Sequence, residues 1–374
     1  RFNADLTLDA TFGTGGVTET DLGSGRHAYT LEIDKQDRIL VGGLGYIARY
    51  SANGELDASF GTDGSIRNSH IEEIYDLAIQ PDGKFLAMGR DDNTWRVTRY
   101  REDGTIDPSF GDKSYQVLHG NGDGGGDYGR NVIVHNNGDI LLLGTGGHGS
   151  PESFIALRID TLGNWEEQTV VSWPEGTNER VFNALALPDG KTLLIGRNGD
   201  GSRPESPAAD VAISRHHYDG TLDTTFGTDG KLSLGILNGE DAAYDAVLQP
   251  DGKILITGQA HNGQDWDIAI ARISYDGVPD ATFDGDGKLG ISFGGSDDYG
   301  YSILSQPDGK IVIAGRTGDD IALVRLLGDS DQSSASANLA PVNSIPSSQT
   351  TQVNTPLGFT DFRDNLITTS DADA

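Results

Sequence analysis

A nine-residue motif that recurs along the chain constrains the fold more than any other feature of the sequence. The clearest copy is Asp219-Gly-Thr-Leu-Asp-Thr-Thr-Phe-Gly227, and full or partial copies begin at Leu8, Asn53, Asp103 and Asp276. A fixed period of this size is typical of repeat architectures, in which like units stack on one another. We therefore predict that most of the 374 residues form one repetitive assembly rather than several unrelated domains.

Each repeat contains four short segments with the pattern of β-strands. In the second repeat these are residues 64–68, 75–80, 85–89 and 95–100. A Pro-Asp-Gly-Lys turn joins the second segment to the third, and it is a strong turn signal because proline presets φ and glycine accepts positive φ. The same turn returns at Pro188, Pro250 and Pro307, each time before an apolar strand that ends in glycine.

An arginine on the last strand before each junction gives the number of repeats. These arginines are spaced by 50 to 59 residues, and they are Arg49, Arg99, Arg158, Arg215, Arg272 and Arg325. Six four-stranded units of this length match an all-β, six-bladed β-propeller of four-stranded blades, which we predict for residues 1–328. An open solenoid is the competing repeat fold.

The two ends of the repeat region complement each other. Residues 15–20 form a strand-like segment with no repeat before it, and the sixth repeat stops one strand short after residues 321–327. Unpaired strand edges expose main-chain hydrogen-bonding groups. We therefore predict that the N-terminal strand pairs with residues 321–327 and closes the propeller.

The composition changes after the sixth repeat. Residues 329–337 are a polar linker of small residues, and residues 338–374 are rich in Pro, Ser, Thr and Asn. This tail resembles the opening strands of the immunoglobulin-like or cadherin-like modules of large bacterial surface adhesins. Because such a sandwich needs about 100 residues, we expect a partial β-sandwich-like module here and further modules of the same polypeptide beyond it.

The repeats themselves resemble a known family. The junction motif, the Pro-Asp-Gly-Lys turn and the arginine before each junction are similar to the bacterial delta-60 repeat, a β-propeller family with no assigned chemistry. The resemblance covers residues 3–328. It implies a propeller in secreted or surface-anchored proteins, often beside adhesion modules, and it implies no catalytic residues.

Charge and composition exclude several classes of partner. The chain has 57 acidic and 27 basic residues, no cysteine and a net charge of -30. Such a charge disfavours nucleic acid and anionic membranes and favours cations. We find no apolar run of about 18 residues, so we expect neither nucleic-acid binding nor membrane insertion.

The repeated charged residues have a structural interpretation. We expect the six arginines to form fork-shaped ion pairs with the junction aspartates, and the junction phenylalanines to pack between blades. The aspartates are Asp9, Asp57, Asp107, Asp223 and Asp280. A ring of guanidinium groups that binds anions is the alternative, but a residue present in every repeat more often serves the repeat itself.

A second set of equivalent positions, seven residues before each turn, suggests a ligand site. In propellers this strand lines the central channel, and the variable loops meet at the same face. We predict ligand contacts at the channel mouth from Tyr75, Asp76, Asn131, Asn183, Tyr244, Asp245 and Tyr301. The alternative is that these small polar side chains hydrogen-bond the strand ends.

Two glycine-rich acidic loops are candidates for calcium, the only cofactor that the sequence suggests. They contain Asp123 and Asp127, and Asp284 and Asp286. Calcium prefers several hard oxygen ligands, which such loops supply. Neither loop has the complete spacing of an EF-hand or of a nonapeptide repeat, and a solvated acidic surface explains the residues equally well.

The sequence carries no zinc motif, nucleophile elbow or phosphate loop. Our first interpretation is a non-enzymatic binding or scaffold module of a large secreted protein at the bacterial cell surface. It would act in adhesion or in matrix or filament assembly, with calcium present and with a glycan or protein surface as ligand. The alternative is a carbohydrate-active enzyme at the channel mouth. A third hypothesis is that residues 338–374 add strands to neighbouring copies.

Overall fold

The computed structural model describes residues 1–3, 5, 7–23, 27–68, 70–91, 94–111, 115–118, 128–135, 138–146, 153–172, 179–199 and 209–327, with four short strands after residue 340. The predicted linker at 329–337 lies outside the described residues, as do the calcium candidates Asp123 and Asp127.

The chain folds into six four-stranded antiparallel sheets, each with its strands in chain order, and these are the blades of a six-bladed β-propeller. The strands of the first three blades are β1 (Ala28–Ile33), β2 (Ile39–Gly43), β3 (Tyr46–Tyr50), β4 (Ser65–Arg67), β5 (Glu73–Ile79), β6 (Phe85–Asp91), β7 (Thr94–Tyr100), β8 (Tyr115–Leu118), β9 (Tyr128–Val134), β10 (Ile140–Gly146), β11 (Ser153–Ile159) and β12 (Trp165–Val171). Those of the last three are β13 (Arg180–Ala186), β14 (Thr192–Asn198), β15 (Asp210–His216), β16 (Lys231–Leu234), β17 (Asp241–Leu248), β18 (Ile254–His261), β19 (Trp266–Ile273), β20 (Lys288–Ile291), β21 (Asp298–Ser305), β22 (Ile311–Thr317), β23 (Asp320–Leu326) and β26 (Leu357–Phe359). The all-β propeller fold predicted from the repeats is thus confirmed.

The predicted turns join the first strand of a blade to its second. In the second blade, the N–H of Gly83 donates to the carbonyl of Gln80 over 3.0 Å, and Asp82 accepts from the N–H of Lys84 over 3.1 Å. Gly83 has a φ of 85°, which a residue without Cβ adopts at little cost. The local chemistry of the turn therefore fixes the hairpin that begins each blade.

The hydrophobic core lies between successive blades. One cluster joins Leu86, Met88 and Trp95 of the second blade to Val132 and Leu142 of the third, and all five are almost completely buried. Equivalent clusters join the first blade to the second and the fifth to the sixth. Burying one large apolar side chain contributes about 1.5–3 kcal/mol, so a blade depends on its neighbours for stability.

The chain forms two compact units. The first contains Arg1 and residues 9–194 and 216–222, and therefore the first three blades and β13. The second contains residues 2–8, 195–215 and 223–374, and therefore the fifth and sixth blades. In the residues that the structure describes, no helix has the length and apolarity needed to cross a membrane.

The prediction that residues 15–20 complete the sixth blade is wrong. The outer partner of β23 is β26, with Ile321 opposite Phe359 and Leu323 opposite Leu357. Gly13, Gly15 and Gly16 have positive φ angles of 52°, 63° and 94°, so the chain turns where an extended strand was predicted. The segment is instead a copy of the junction turn, closed by a bridge between Thr14 and Val17.

The tail forms a small three-stranded sheet in the order β25-β24-β27. Its strands are β24 (Val342–Ser344), β25 (Thr350–Thr351) and β27 (Thr368–Ser370). The immunoglobulin-like or cadherin-like module stays a prediction.

Candidate functional site

Four of the six repeated arginines pair with the junction aspartate eight residues later. The distance from arginine Nε to aspartate Oδ2 is 2.8 Å for Arg49 and Asp57, 2.9 Å for Arg99 and Asp107, 2.7 Å for Arg215 and Asp223, and 2.8 Å for Arg272 and Asp280. All four guanidinium groups are buried. They therefore hold the junction and do not form an exposed ring for anions.

Each of these arginines also reaches the following blade or its own junction. Arg215 donates from Nη1 to the carbonyl of Tyr275 over 2.6 Å and from Nη2 to Thr225 Oγ1 over 2.9 Å. Its guanidinium lies over the ring of Phe226, 5.0 Å from the centroid. One side chain thus connects two successive blades and stacks on the phenylalanine that packs between them.

Sequence reasoning missed a further copy of this arrangement at Arg1. Its Nη2 lies 2.6 Å from Asp9 Oδ2, its Nη1 donates to the carbonyl of Ala52 over 2.7 Å, and its guanidinium lies over Phe12. The spacing of eight residues between arginine and aspartate was the signal that could have found it.

Arg158 and Arg325 differ from the other repeated arginines. Arg158 Nη2 lies 2.5 Å from Glu166 Oε2, so a glutamate eight residues on replaces the aspartate that the fourth junction lacks. Arg325 acts on Asp5. Hydrogen bonds from Thr7 lower the pKa of the Asp5 carboxyl, and the charge of Arg325 lowers it further but more weakly.

The predicted ligand residues lie at a β-bulge in the first strand of a blade. The register shifts between Ile74 and Asp76 in β5 and between Ala243 and Asp245 in β17, so Tyr75 and Tyr244 are the extra residues of their bulges. Tyr29 and Tyr301 occupy the same position in β1 and β21. The bulge therefore presents each tyrosine beside the polar residue that follows it.

A glycine in the second strand makes this bulge sterically allowed; the sequence predicted it at the strand end, but β6, β18 and β22 continue past Gly89, Gly258 and Gly315. A Cβ atom on Gly258 would lie 1.9 Å from the carbonyl oxygen of Ala242 in the neighbouring strand. Gly43, Gly89 and Gly315 face a carbonyl oxygen in the same way at 1.8–1.9 Å. The repeated glycine seen in the sequence is thus required by the backbone that positions the tyrosines.

The aspartates beside the tyrosines join the first strands of successive blades. The carboxylate of Asp245 accepts a hydrogen bond from the N–H of Ala246 in its own strand. It also accepts hydrogen bonds from the N–H of Ile303 and from Ser302 Oγ in the next blade, and all three distances are 2.9 Å. Asp76 accepts in the same way from the N–H groups of Leu77 and Val132 over 2.9 Å. These contacts support the alternative in which the small polar side chains hold the strand ends.

The asparagines extend this polar chain in the first unit. Asn131 Nδ2 donates to Asn183 Oδ1 over 2.7 Å and lies 3.5 Å from Asp76 Oδ2. Asn131 Oδ1 is buried and has no hydrogen-bond partner among the described residues. Burial raises the pKa of Asp76 to about 7, and the charge of Glu32 adds to the rise while the backbone hydrogen bonds oppose it.

In the second unit, three tyrosines form a continuous strip with an arginine at one end and a glutamine at the other. The ring centroids of Tyr244 and Tyr301 are 5.6 Å apart, and those of Tyr301 and Tyr299 are 6.0 Å apart with the planes only 9° from parallel. Arg316 lies over Tyr299 at 4.4 Å, and Tyr244 OH donates to Gln259 Oε1 over 2.5 Å. We call these five residues the tyrosine strip.

A related stack in the first unit is closed by an ion pair. The centroids of Tyr29 and Tyr75 are 5.8 Å apart, and Arg130 lies over Tyr75 at 4.5 Å. Tyr75 OH donates to Glu73, whose Oε2 lies 2.5 Å from Arg90 Nε. A carboxylate therefore neutralises the arginine at this end of the stack.

Sequence reasoning also missed the position that follows the bulge glycine. This position is occupied by a long polar side chain in four blades. The residues are Arg90 after Gly89, Arg197 after Gly196, Gln259 after Gly258 and Arg316 after Gly315. Burial raises the pKa of Tyr244, and the charges of Arg197 and Arg316 oppose that rise, which places both cations near the strip. The bulge lies near the start of the first strand in five blades, in β1, β5, β9, β17 and β21.

The metal candidates that the structure describes, Asp284 and Asp286, lie in a junction turn. Asp284 has a φ of 49° and takes the place of Gly61 and Gly227 in the junction turn, while Asp286 accepts from the N–H of Lys288 over 3.0 Å. Across the described ranges, no group of three or more histidine, cysteine or acidic side chains is arranged to hold a metal ion.

A family model described as "Domain of unknown function (DUF5122) beta-propeller" matches four segments of the chain, residues 37–60, 80–110, 249–283 and 306–332. The match supports a β-propeller family for the repeats. A search of curated proteins gave no match.

Several solved structures share the fold. Drosophila Semaphorin 2a is 8% identical, with a TM-score of 0.52, and the likeness covers 80% of this chain and 66% of that one. A GH43 endo-arabinanase from Bacillus licheniformis is 13% identical with a TM-score of 0.39, covering 68% and 94%. PorZ, a bacterial surface component of the type-IX secretion system of Porphyromonas gingivalis, is 14% identical with a TM-score of 0.47, covering 86% and 44%. The likeness to the semaphorin supports the propeller fold alone, and the two weaker ones carry no argument about activity.

Proposed function

We propose that this chain is a non-enzymatic glycan-binding module of a secreted bacterial surface protein and that it acts in adhesion or matrix assembly. The tyrosine strip is the observation that carries the proposal. Tyr301 is 48% exposed and Arg316 is exposed, so the strip is open to a ligand. Aromatic faces stack on the C–H faces of sugar rings, while phenol, amide and guanidinium groups bond to sugar hydroxyls.

The composition of the strip favours a sugar over an apolar protein segment. Each tyrosine has a hydroxyl group, and Gln259 and Arg316 add polar groups at the two ends. Interfaces for apolar partners instead bury aliphatic side chains at their centre. A row of rings with polar groups at its edge, in which Tyr301 and Tyr299 are nearly parallel and Tyr244 is tilted by 45° from Tyr301, suits an extended chain of pyranose units.

The aspartates that follow the bulge tyrosines favour binding over catalysis. Both oxygens of Asp245 accept backbone N–H groups, as do both oxygens of Asp76. A general acid or nucleophile must instead reach the scissile bond.

A glycoside hydrolase in the first unit is the alternative function. One observation favours it: burial raises the pKa of Asp76 to about 7, and Glu32 is close enough for its charge to contribute. A carboxyl group that stays protonated near neutral pH beside a second carboxylate is the pattern of a glycosidase.

A panel of soluble polysaccharides tests both functions. We expect wild type to bind at least one glycan without releasing reducing ends, and Tyr301→Ala to weaken binding about ten-fold, which corresponds to about 1.4 kcal/mol. Tyr218→Ala is the matched control because Tyr218 is 52% exposed and belongs to the first unit, whereas the strip belongs to the second. Release of reducing ends that Asp76→Asn abolishes would favour the enzyme, and loss of binding in Tyr218→Ala but not in Tyr301→Ala would contradict the assignment of the site.

A further inference from the structure

We infer that the tyrosine strip recognises an acidic glycan, one whose sugar rings carry carboxylate groups. This inference rests on the proposed function and names the chemistry of its ligand. It is carried by two arginines, Arg197 and Arg316, that accompany the strip in a chain with a net charge of -30.

Ion pairing separates these two from the buried junction arginines and from Arg90. Arg49, Arg99, Arg215 and Arg272 are buried against carboxylates, and Arg90 is paired with Glu73. Neither Arg197 nor Arg316 forms an ion pair with a carboxylate among the residues that the structure describes. Within the described part of the chain, the strip therefore has positive charge that no carboxylate pairs with.

The geometry of Arg316 suits a planar anion. Its guanidinium carbon lies 4.4 Å from the centroid of Tyr299, so the ring covers one face of the cation, and the side chain as a whole is exposed. Guanidinium groups bind carboxylates edge-on through two parallel N–H donors, and stacking on a ring leaves that edge accessible. A uronate lying along the tyrosines would thus place its carboxylate at the end of the strip.

The two stacks differ at the position that decides this preference. In the first unit Glu73 accepts from Tyr75 OH and pairs with Arg90. In the second unit Tyr244 OH donates to Gln259, a neutral residue, and Arg316 pairs with no carboxylate among the described residues. Burial opposes the charge of Arg316, but its hydrogen bond with Tyr299 and the charge of Asp297 raise its pKa overall. The strip of the second unit therefore combines stacked rings with a cation that is paired with no carboxylate among the described residues.

The net negative charge of the chain does not prevent such binding. Charges farther away than about 8–10 Å are largely screened at physiological ionic strength, whereas the contact of a guanidinium with a carboxylate is local. Recognition would therefore be short-range, and added salt should weaken binding of the acidic form more than that of a neutral form.

Pairs of oligosaccharides that differ only in the carboxyl group test the inference. The probes are oligogalacturonate, oligomannuronate and a glucuronate-containing oligosaccharide, each beside its carboxyl-reduced counterpart of the same length, measured by calorimetry. We expect at least one acidic form to bind about ten-fold more tightly than its reduced form. Arg316→Gln and Arg197→Gln should remove this preference and leave the weak binding of the reduced form, whereas Tyr301→Ala should weaken both forms. Arg101→Gln is the control because Arg101 lies exposed in a turn.

The outcomes separate the inference from the proposed function. Equal binding of acidic and reduced forms, or a preference that survives in Arg316→Gln and Arg197→Gln, would overturn the inference and leave glycan binding standing. Absence of binding to every probe by folded protein would overturn the inference, and absence of binding across the wider polysaccharide panel would overturn the proposed function as well. Circular dichroism of each variant shows that the fold is intact.

Discussion

Arg215 and Asp223 lie 2.7 Å apart between Nε and Oδ2, with side chains that are only 1% and 2% exposed. The pair is buried, and the guanidinium of Arg215 makes further hydrogen bonds. It donates to the carbonyl of Tyr275 in the following blade and to the hydroxyl of Thr225 in its own junction. A buried charge is tolerated only when it is paired and hydrogen-bonded. The repeated arginine is therefore a structural element that joins the blades.

The first prediction follows from this pair. Arg215→Met leaves the carboxylate of Asp223 buried without its cation, and we expect a loss of about 3–5 kcal/mol in the free energy of unfolding. Urea denaturation followed by tryptophan fluorescence measures it. Arg158→Met is the matched comparison, because Arg158 and Glu166 are 22% and 37% exposed and should contribute about 1 kcal/mol or less. Equal losses in the two variants would contradict the structural role of burial.

The second prediction concerns the glycine that permits the bulge. Gly258→Ala places a Cβ 1.9 Å from the carbonyl oxygen of Ala242, and backbone atoms must move to relieve the overlap. We expect a loss of at least about 3 kcal/mol together with weaker glycan binding, because the bulge positions Tyr244. Gly252→Ala is the control: nothing lies within 4 Å of its added Cβ, and only its positive φ of 87° costs about 1 kcal/mol. A Gly258→Ala variant as stable as this control would refute the steric argument.

The third prediction is a pH dependence at Asp241, which is almost completely buried. Burial raises the pKa of this carboxyl from 3.8 to about 6; the charge of Asp210 adds to the rise, while hydrogen bonds from Ile236 and Leu237 and the charge of Lys288 oppose it. The folded protein binds the proton more tightly than the unfolded chain does. The stabilisation is therefore complete below about pH 3.8 and is lost as the pH rises through 6.

Asp241→Asn stays neutral at every pH and keeps an oxygen acceptor for the N–H of Ile236. Between pH 4 and pH 7 its stability should therefore rise relative to wild type by on the order of 1 kcal/mol. Denaturant midpoints at several pH values measure the difference, with the exposed turn variant Asp251→Asn as control. A constant difference between wild type and Asp241→Asn over this range would exclude the assigned proton.

The fourth prediction concerns the calcium candidate at Asp284. This residue adopts a φ of 49° where the equivalent turns have Gly61 and Gly227 with φ of 55° and 52°. Glycine occupies this region without the strain of a Cβ, so Asp284→Gly should be neutral or more stable by up to about 1 kcal/mol. Scanning calorimetry with and without calcium also tests metal binding, because a calcium site at Asp284 and Asp286 would raise the Tm of wild type more than that of the variant. Destabilisation by Asp284→Gly without calcium would contradict the backbone argument.

Much of the fold could be predicted from the sequence because its determinants are local. The Pro-Asp-Gly-Lys turn, the alternating apolar strands and the spacing of eight residues between arginine and acid all act within one repeat, so their period reveals the blades. The position of the ligand candidates, such as Tyr75 and Tyr244, was also visible as a repeated place in the first strand. What the pattern could not reveal is that this place is a bulge.

The number of blades, their strands and the residues that hold each junction follow from the sequence alone, since these depend on contacts between neighbours along the chain. The folded structure was needed to show which strand completes the sixth blade, that Asp76 and Asp245 join adjacent blades, and that Arg316 stacks on Tyr299 beside Tyr301 and Tyr244. These relationships link residues of different strands and blades, and their geometry depends on how sheets pack across a core, which no local pattern specifies.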